Sequence, residues 1–194
     1  MLKPFVCWPV SLQIPGRKLI DPTRTALTTA GYIARTRFEG GDPDVVDFTK
    51  RGADLVAVKR LQGRSAPEWV RTSPYLRWVR ADEASNRTGK ATDIRAWHVV
   101  ADLPPAATEG QWMDGVTELV SLALTPTAVA DIAIHNPQDG IPHAHLCVAS
   151  RVPGENSYLS VDYDLSSSLK VALRLVWEEW LQDWANREAL LHAA

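Results

Sequence analysis

Cysteine is nearly missing from this chain: Cys7 and Cys147 are the two among 194 residues. Two thiols make no disulfide framework, and Cys147, inside an apolar stretch, reads as a small core residue, which fits a reducing cytoplasm. Long apolar runs are missing too. None approaches the ~20 residues of a membrane span, so no membrane insertion is expected. The opening Met-Leu-Lys-Pro-Phe-Val-Cys-Trp-Pro-Val carries one positive charge and a short apolar stretch broken at Pro9, a poor signal peptide. There is no internal repeat and no low-complexity tract. What is present is ordinary for a globular protein, 45% hydrophobic and 23% charged, and the length suits one domain over residues 1–194 with a substantial core.

Basic residues are scarce in one half only. Residues 1–100 hold 17 of the 21 Lys and Arg against 10 Asp and Glu, while residues 101–194 hold 4 against 13. The overall charge of −2 hides this asymmetry. It suggests a basic surface for a polyanion on the first half, or else two oppositely charged faces that attract each other.

Pattern and punctuation give a mixed set of elements. Residues 5–14, between prolines, read as an extended segment or edge strand. Asp21-Pro22-Thr23 looks like a helix opening, with Asp21 as N-cap and Pro22 at the first position, followed by Ala26, Leu27, Ala30 and Ile33. Gly40-Gly41-Asp42-Pro43 breaks the pattern, Lys50-Arg51-Gly52 is a turn, and residues 54–59 alternate as a strand. Residues 68–95 are expected to be helical in two pieces split at Ser73-Pro74. Residues 96–101 read as a strand, 110–124 as a helix, and 160–163 as a short strand. Residues 166–191 form a long amphipathic helix with Leu169, Leu173, Val176, Trp177, Trp180, Leu181 and Trp184 on one stripe. That stripe is a core face rather than a base-stacking platform. The mix argues an α+β fold with a mainly antiparallel central sheet and packed helices.

Histidine is sparse as well, five in all, yet three fall in one short stretch. Residues 129–134 are an apolar, β-branched run, 136–142 are dense in turn residues, and 143–150 resume an apolar strand, which together read as a hairpin. On the second strand His143 and His145 are two apart and share a face. His135, where the first strand ends, closes on them across the turn. A single histidine on a strand is ordinarily a core or surface residue. Three converging imidazoles instead make an incomplete coordination sphere, with positions left for water or substrate.

The stretch Ile-His-Asn-Pro-Gln-Asp-Gly-Ile-Pro-His-Ala-His-Leu resembles the metal-binding motif of MobA/MobL-family plasmid mobilisation relaxases, endonucleases named for a histidine–hydrophobe–histidine (HUH) motif. Other segments match in the family's order. Ala30-Gly31-Tyr32 is similar to the Ala-rich helix that bears the family's nucleophilic tyrosine, and Asp47-Phe48-Thr49-Lys50-Arg51-Gly52 to its Asp-Tyr-(Ser/Thr)-Arg/Lys-Lys-Gly stretch. Ala66-Pro67-Glu68-Trp69, Asp102-Leu103-Pro104, and Leu173-Arg174 through Trp177 to Asn186 follow. The resemblance covers roughly residues 17–190. It departs at Trp97-His98, where the family has Arg-Glu, so His98 stands in place of an acid, and at the opening strand. Many relaxases carry further domains, so two readings stay open, a whole domain or the N-terminal part of a longer protein.

The resemblance implies a metal-dependent, strand-specific nickase and strand transferase acting on single-stranded DNA at a transfer origin, with accessory relaxosome proteins as further partners. Rejoinable cleavage needs a nucleophile that stays attached, and a tyrosine gives a 5′-phosphotyrosine and a free 3′-OH. A phenol of pKa ≈ 10 needs a base or a nearby cation at neutral pH. The roles then fall to Tyr32 as nucleophile, His135, His143 and His145 as ligands, and His98 as base or partner of a ligand. Tyr75, Tyr158 and Tyr163 are fallback nucleophiles. The cofactor is a divalent ion, Mn²⁺ or Mg²⁺, with Zn²⁺, Ni²⁺ and Co²⁺ also acceptable to imidazole. Arg17, Lys18, Arg24, Arg35, Arg37, Lys50 and Arg51 are expected to hold the DNA backbone. Three alternatives stay open: a rolling-circle replication initiator, a non-cutting DNA-binding module of the same fold, and an unrelated three-histidine enzyme.

Overall fold

The structure, a computed structural model, describes residues 5–38 and 46–192, with the backbone alone from residue 188 onward. The expected break at Gly40-Gly41-Asp42-Pro43 lies outside the described residues. Five strands form one sheet in the order β1-β3-β5-β4-β2, built from β1 (Val6–Val10), β2 (Leu55–Gln62), β3 (Ala96–Asp102), β4 (Val129–His135) and β5 (His143–Ala149). Every neighbouring pair in it is antiparallel. A small ribbon of β6 (Arg151–Pro153) and β7 (Tyr158–Val161) stands apart.

Helices cover both faces of the sheet. Even-numbered residues of β4 and β5, Ile132, Ile134, Leu146 and Val148 among them, are buried under α4 (Glu109–Ala123) and α5 (Tyr163–His192). Odd-numbered ones, Val129, Ala133, Cys147 and Ala149, are buried with α1 (Ala26–Ile33), α2 (Glu68–Thr72) and α3 (Pro74–Asn86). Central strands apolar on both faces are what a sheet sandwiched between two helical layers requires. α5 inserts Leu165, Leu169, Leu173 and Trp177, each fully buried, with Trp180 and Trp184 packed beside them. The tryptophan stripe is therefore core, as its spacing implies.

Several expectations needed correction. The second helical piece ends at Asn86, short of residue 95, and the short strand expected at 160–163 is β7, with Tyr163 already in α5. The opening strand is shorter than residues 5–14: β1 ends at Val10, and an isolated bridge joins Gln13 to Ile20. Pro9 is tolerated there because β1 is an edge strand. Asp21 does not cap α1. Its carboxylate accepts from the Thr23 amide and hydroxyl, closing a turn instead. Thr25 is the N-cap, accepting from Thr28. The amides of Ala26 and Leu27 donate to Asp82 on α3, at 2.9 and 3.0 Å. Asp82 is itself paired with Arg95. Helix starts leave orphan donors, and here an acid 56 residues away meets two of them, which no local pattern reveals.

Candidate metal and nucleophile site

The hairpin of β4 and β5 sets the site. His135 and His143 are directly paired across it, and His145 lies opposite Ala133. All three side chains therefore project from the face that α1 covers. One ring nitrogen of each lies within 4.8 Å of the others, and the ring centroids are 4.6–5.5 Å apart. The triad read from the sequence is thus brought together.

The nitrogens are not equivalent. His143 Nδ1 donates to the Ile141 carbonyl at 2.8 Å, which leaves Nε2 with its lone pair. His145 Nδ1 lies 2.9 Å from His98 Nε2, and His145 Nε2 is buried without a hydrogen-bond partner. A buried imidazole nitrogen with no partner is costly unless something is meant to bind it. Burial pushes the pKa of His98 down to about 4, and burial with the neighbouring histidines pushes that of His145 down to about 2. Both rings are neutral at pH 7, the form in which imidazole binds metal.

His135 is held differently. Its Nε2 donates to the Ile33 carbonyl at 2.7 Å, and its Nδ1 accepts from Arg35 Nη2 at 3.1 Å, since arginine can only donate. To serve as third ligand, His135 gives up one of these bonds. Burial lowers its pKa, against the Ile33 carbonyl, which raises it. The cluster is compatible with binding a divalent ion: each histidine offers one ring nitrogen, all within 4.8 Å of one another, and His145 Nε2 has no partner in the protein.

Tyr32 faces this cluster from α1. Its ring centroid is 5.6 Å from His145, 6.3 Å from His98 and 5.7 Å from Phe48, each edge-on. Beside it a cleft of about 230 Å³ is lined by Trp8, Arg24, Thr28, Phe48 and His98. The other tyrosines are elsewhere: Tyr158 is buried on β7, Tyr163 is exposed at the start of α5, and Tyr75 sits on α3.

The seven cations named as DNA-holding divide into groups. Arg24 lines the cleft and anchors itself to the Ser11 and Pro9 carbonyls. Lys50 and Arg51 are exposed on the 3-10 turn Thr49–Asp54, where the Arg51 guanidinium lies 5.9 Å from the Phe48 ring. Arg37 is exposed just beyond α1, and Arg17 and Lys18 are exposed on the loop after β1. The Arg35 side chain is 8% exposed and forms an ion pair with Asp54 at 2.8 Å. Two further cations of the basic half are internal struts: Arg77, which meets Asp131, and Arg95. Sequence reasoning missed Asp54, Ile33 and the special role of Arg35, because their link to His135 is made across three separate elements.

No curated protein matches the chain. A chain solved in work entitled "Molecular Basis of Vancomycin Resistance Transfer in Staphylococcus aureus" has the same fold, with a TM-score of 0.72. The two are 18% identical, and the match covers 92% of this chain and 89% of that one. The MobA/MobL family model matches residues 24–188, from the turn before α1 to near the end of α5. On that match, the chain belongs to the MobA/MobL family.

Proposed function

We propose that this protein is a metal-dependent, strand-specific DNA nickase and strand transferase that cuts single-stranded transfer-origin DNA through a covalent 5′-phosphotyrosine on Tyr32, for plasmid mobilisation. The observation that carries this reading is the Tyr32 ring packed perpendicular to His145, centroid to centroid 5.6 Å, with His145 Nε2 buried and unpartnered. Family membership supplies the context.

The chain's own groups divide the work. The Tyr32 hydroxyl loses its proton and its oxygen bonds to phosphorus as the bond from phosphorus to the 3′ oxygen breaks, and the departing oxygen takes up a proton as the 3′-OH, so no net proton is gained. Attack by a 3′-OH on the phosphotyrosine runs the step backwards and rejoins a strand. His135, His143 and His145 would hold the divalent ion, which when bound neutralises phosphate charge and polarises phosphorus. His98 serves as partner to His145: with Nε2 committed to His145 Nδ1, it fixes the tautomer that leaves the His145 lone pair free. The Arg35 guanidinium lies 4.6 Å from the centre of the Tyr32 ring. Arg24, Arg37, Lys50 and Arg51 would hold the backbone of a single strand, since a phosphate inside an undistorted duplex cannot reach Tyr32 and the histidines together.

The test is strand cleavage of an end-labelled single-stranded oligonucleotide spanning the transfer origin. Cleavage should require added Mn²⁺ or Mg²⁺, stop with chelator, and fall by about 10²–10³-fold in His143→Ala, in line with losing a charge-stabilising group. Cleavage at the wild-type rate in chelator would refute the metal-dependent reading.

A further inference from the structure

Arg35 occupies a position where a helix normally places glycine. α1 ends with the Thr36 amide on the Gly31 carbonyl at 3.1 Å and the Arg35 amide on the Tyr32 carbonyl at 3.3 Å. That pattern puts the residue at 35 in the left-handed region, and Arg35 has φ +49°, alone among the described non-glycine residues. A side chain is disfavoured there. What this one does sets it apart from a surface cation. Its Nε and Nη2 grip both Asp54 oxygens at 3.0 and 2.8 Å. Nη2 also donates to His135 Nδ1, and Nη1 to the Tyr32 carbonyl at 3.0 Å. Four of its N–H bonds are thus directed inward, and the guanidinium lies against the Tyr32 ring.

We propose that Arg35 is a positioning residue which, with Asp54, ties the tyrosine-bearing end of α1 to His135 and takes no part in holding DNA. The inference rests on the nickase reading. A purely structural helix end would be served better by glycine, which removes the backbone strain. A DNA-holding cation would present its N–H groups to solvent, as the exposed Lys50 and Arg51 can. Arg35 does neither, and its contacts join the proposed nucleophile, a carboxylate and a proposed ligand in one unit. The fork is specific to arginine, since a lysine ammonium cannot grip a carboxylate and reach an imidazole in that plane.

The experiment compares Arg35→Gly and Arg35→Lys with the wild-type protein in three measurements. The first is affinity for oligothymidylate at several salt concentrations. The second is the single-turnover rate of cleavage of the origin oligonucleotide. The third is the set of imidazole ¹⁵N resonances of His135 in metal-free protein. Arg35→Gly should stay folded and keep both affinity and salt slope. Its cleavage rate should drop by about 100-fold, the order expected when a reacting group is misplaced by about 1 Å. The His135 nitrogen resonances should move, and millimolar guanidinium should recover part of the rate, while Arg35→Lys should fall between. A weaker affinity with a salt slope shallower by about 0.7, one phosphate contact on a single strand, would make Arg35 a DNA-holding cation and overturn the proposal. Unmoved His135 resonances would overturn it as well. If the wild type does not cleave at all, the nickase reading falls, and those resonances still decide whether Arg35 holds His135.

Discussion

His98 carries the departure from the family pattern, and its contact suggests a role for a histidine there. It lies 2.9 Å from His145 Nδ1 on the neighbouring strand, where an acidic side chain could equally accept from that nitrogen. Groups that orient a metal-binding histidine typically change affinity by 10–100-fold when removed. Titration calorimetry with Mn²⁺ should therefore show a loss of about that size in His98→Ala and a much smaller one in His98→Glu. Equal affinity in all three proteins would mean that His98 has no hold on the site. The triad itself was legible because strand periodicity is two and a hairpin turn brings its ends together. Of the partners of its members, His98 beside His145 was named from the sequence, and those of His135 were not legible. Ile33 reaches His135 through a backbone carbonyl, and Arg35 through a backbone conformation that sequence does not mark.

At the scale of elements, the site depends on how α1 is seated. Asp21-Pro22-Thr23 has the composition of a helix start but folds as a turn, and the helix begins where Thr25 and Asp82 supply acceptors. Asp82 is 8% exposed and joins α3, α1 and Arg95. Removing one member of a buried pair leaves the other charge without a partner, a loss of about 3–5 kcal/mol. Urea unfolding of Asp82→Ala should show a deficit of that order, which would also loosen the start of the helix that carries Tyr32. A deficit under about 1 kcal/mol, the level of an exposed ion pair, would show that the seating of α1 is held elsewhere. The strands and α5 were far easier to place from sequence, since alternation and the leucine–tryptophan stripe report burial directly. The boundaries of α1 depend on residues distant in the chain and could not be read locally.

Across the whole molecule, the charge asymmetry separates into internal and external parts. Arg35, Arg77 and Arg95 are committed to internal ion pairs, so composition overstated the cations available to a polyanion. Among those left outside, Lys50 and Arg51 share the turn that follows Phe48, whose ring meets Tyr32. Each phosphate contact on a single strand contributes about 0.7 to the slope of log affinity against log salt. Replacing Lys50 and Arg51 together by alanine should flatten that slope by about 1.4 for oligothymidylate, and an unchanged slope would place the strand elsewhere. The central claim, that Tyr32 is the residue joined to DNA, is tested most directly by mapping the bond itself. The protein is incubated with origin oligonucleotide and Mn²⁺, digested with protease and nuclease, and the modified peptide sequenced by mass spectrometry. The account predicts a nucleotide on the peptide containing Tyr32 and no conjugate in Tyr32→Phe. A nucleotide on Tyr75, Tyr158 or Tyr163, or a conjugate persisting in Tyr32→Phe, would contradict it.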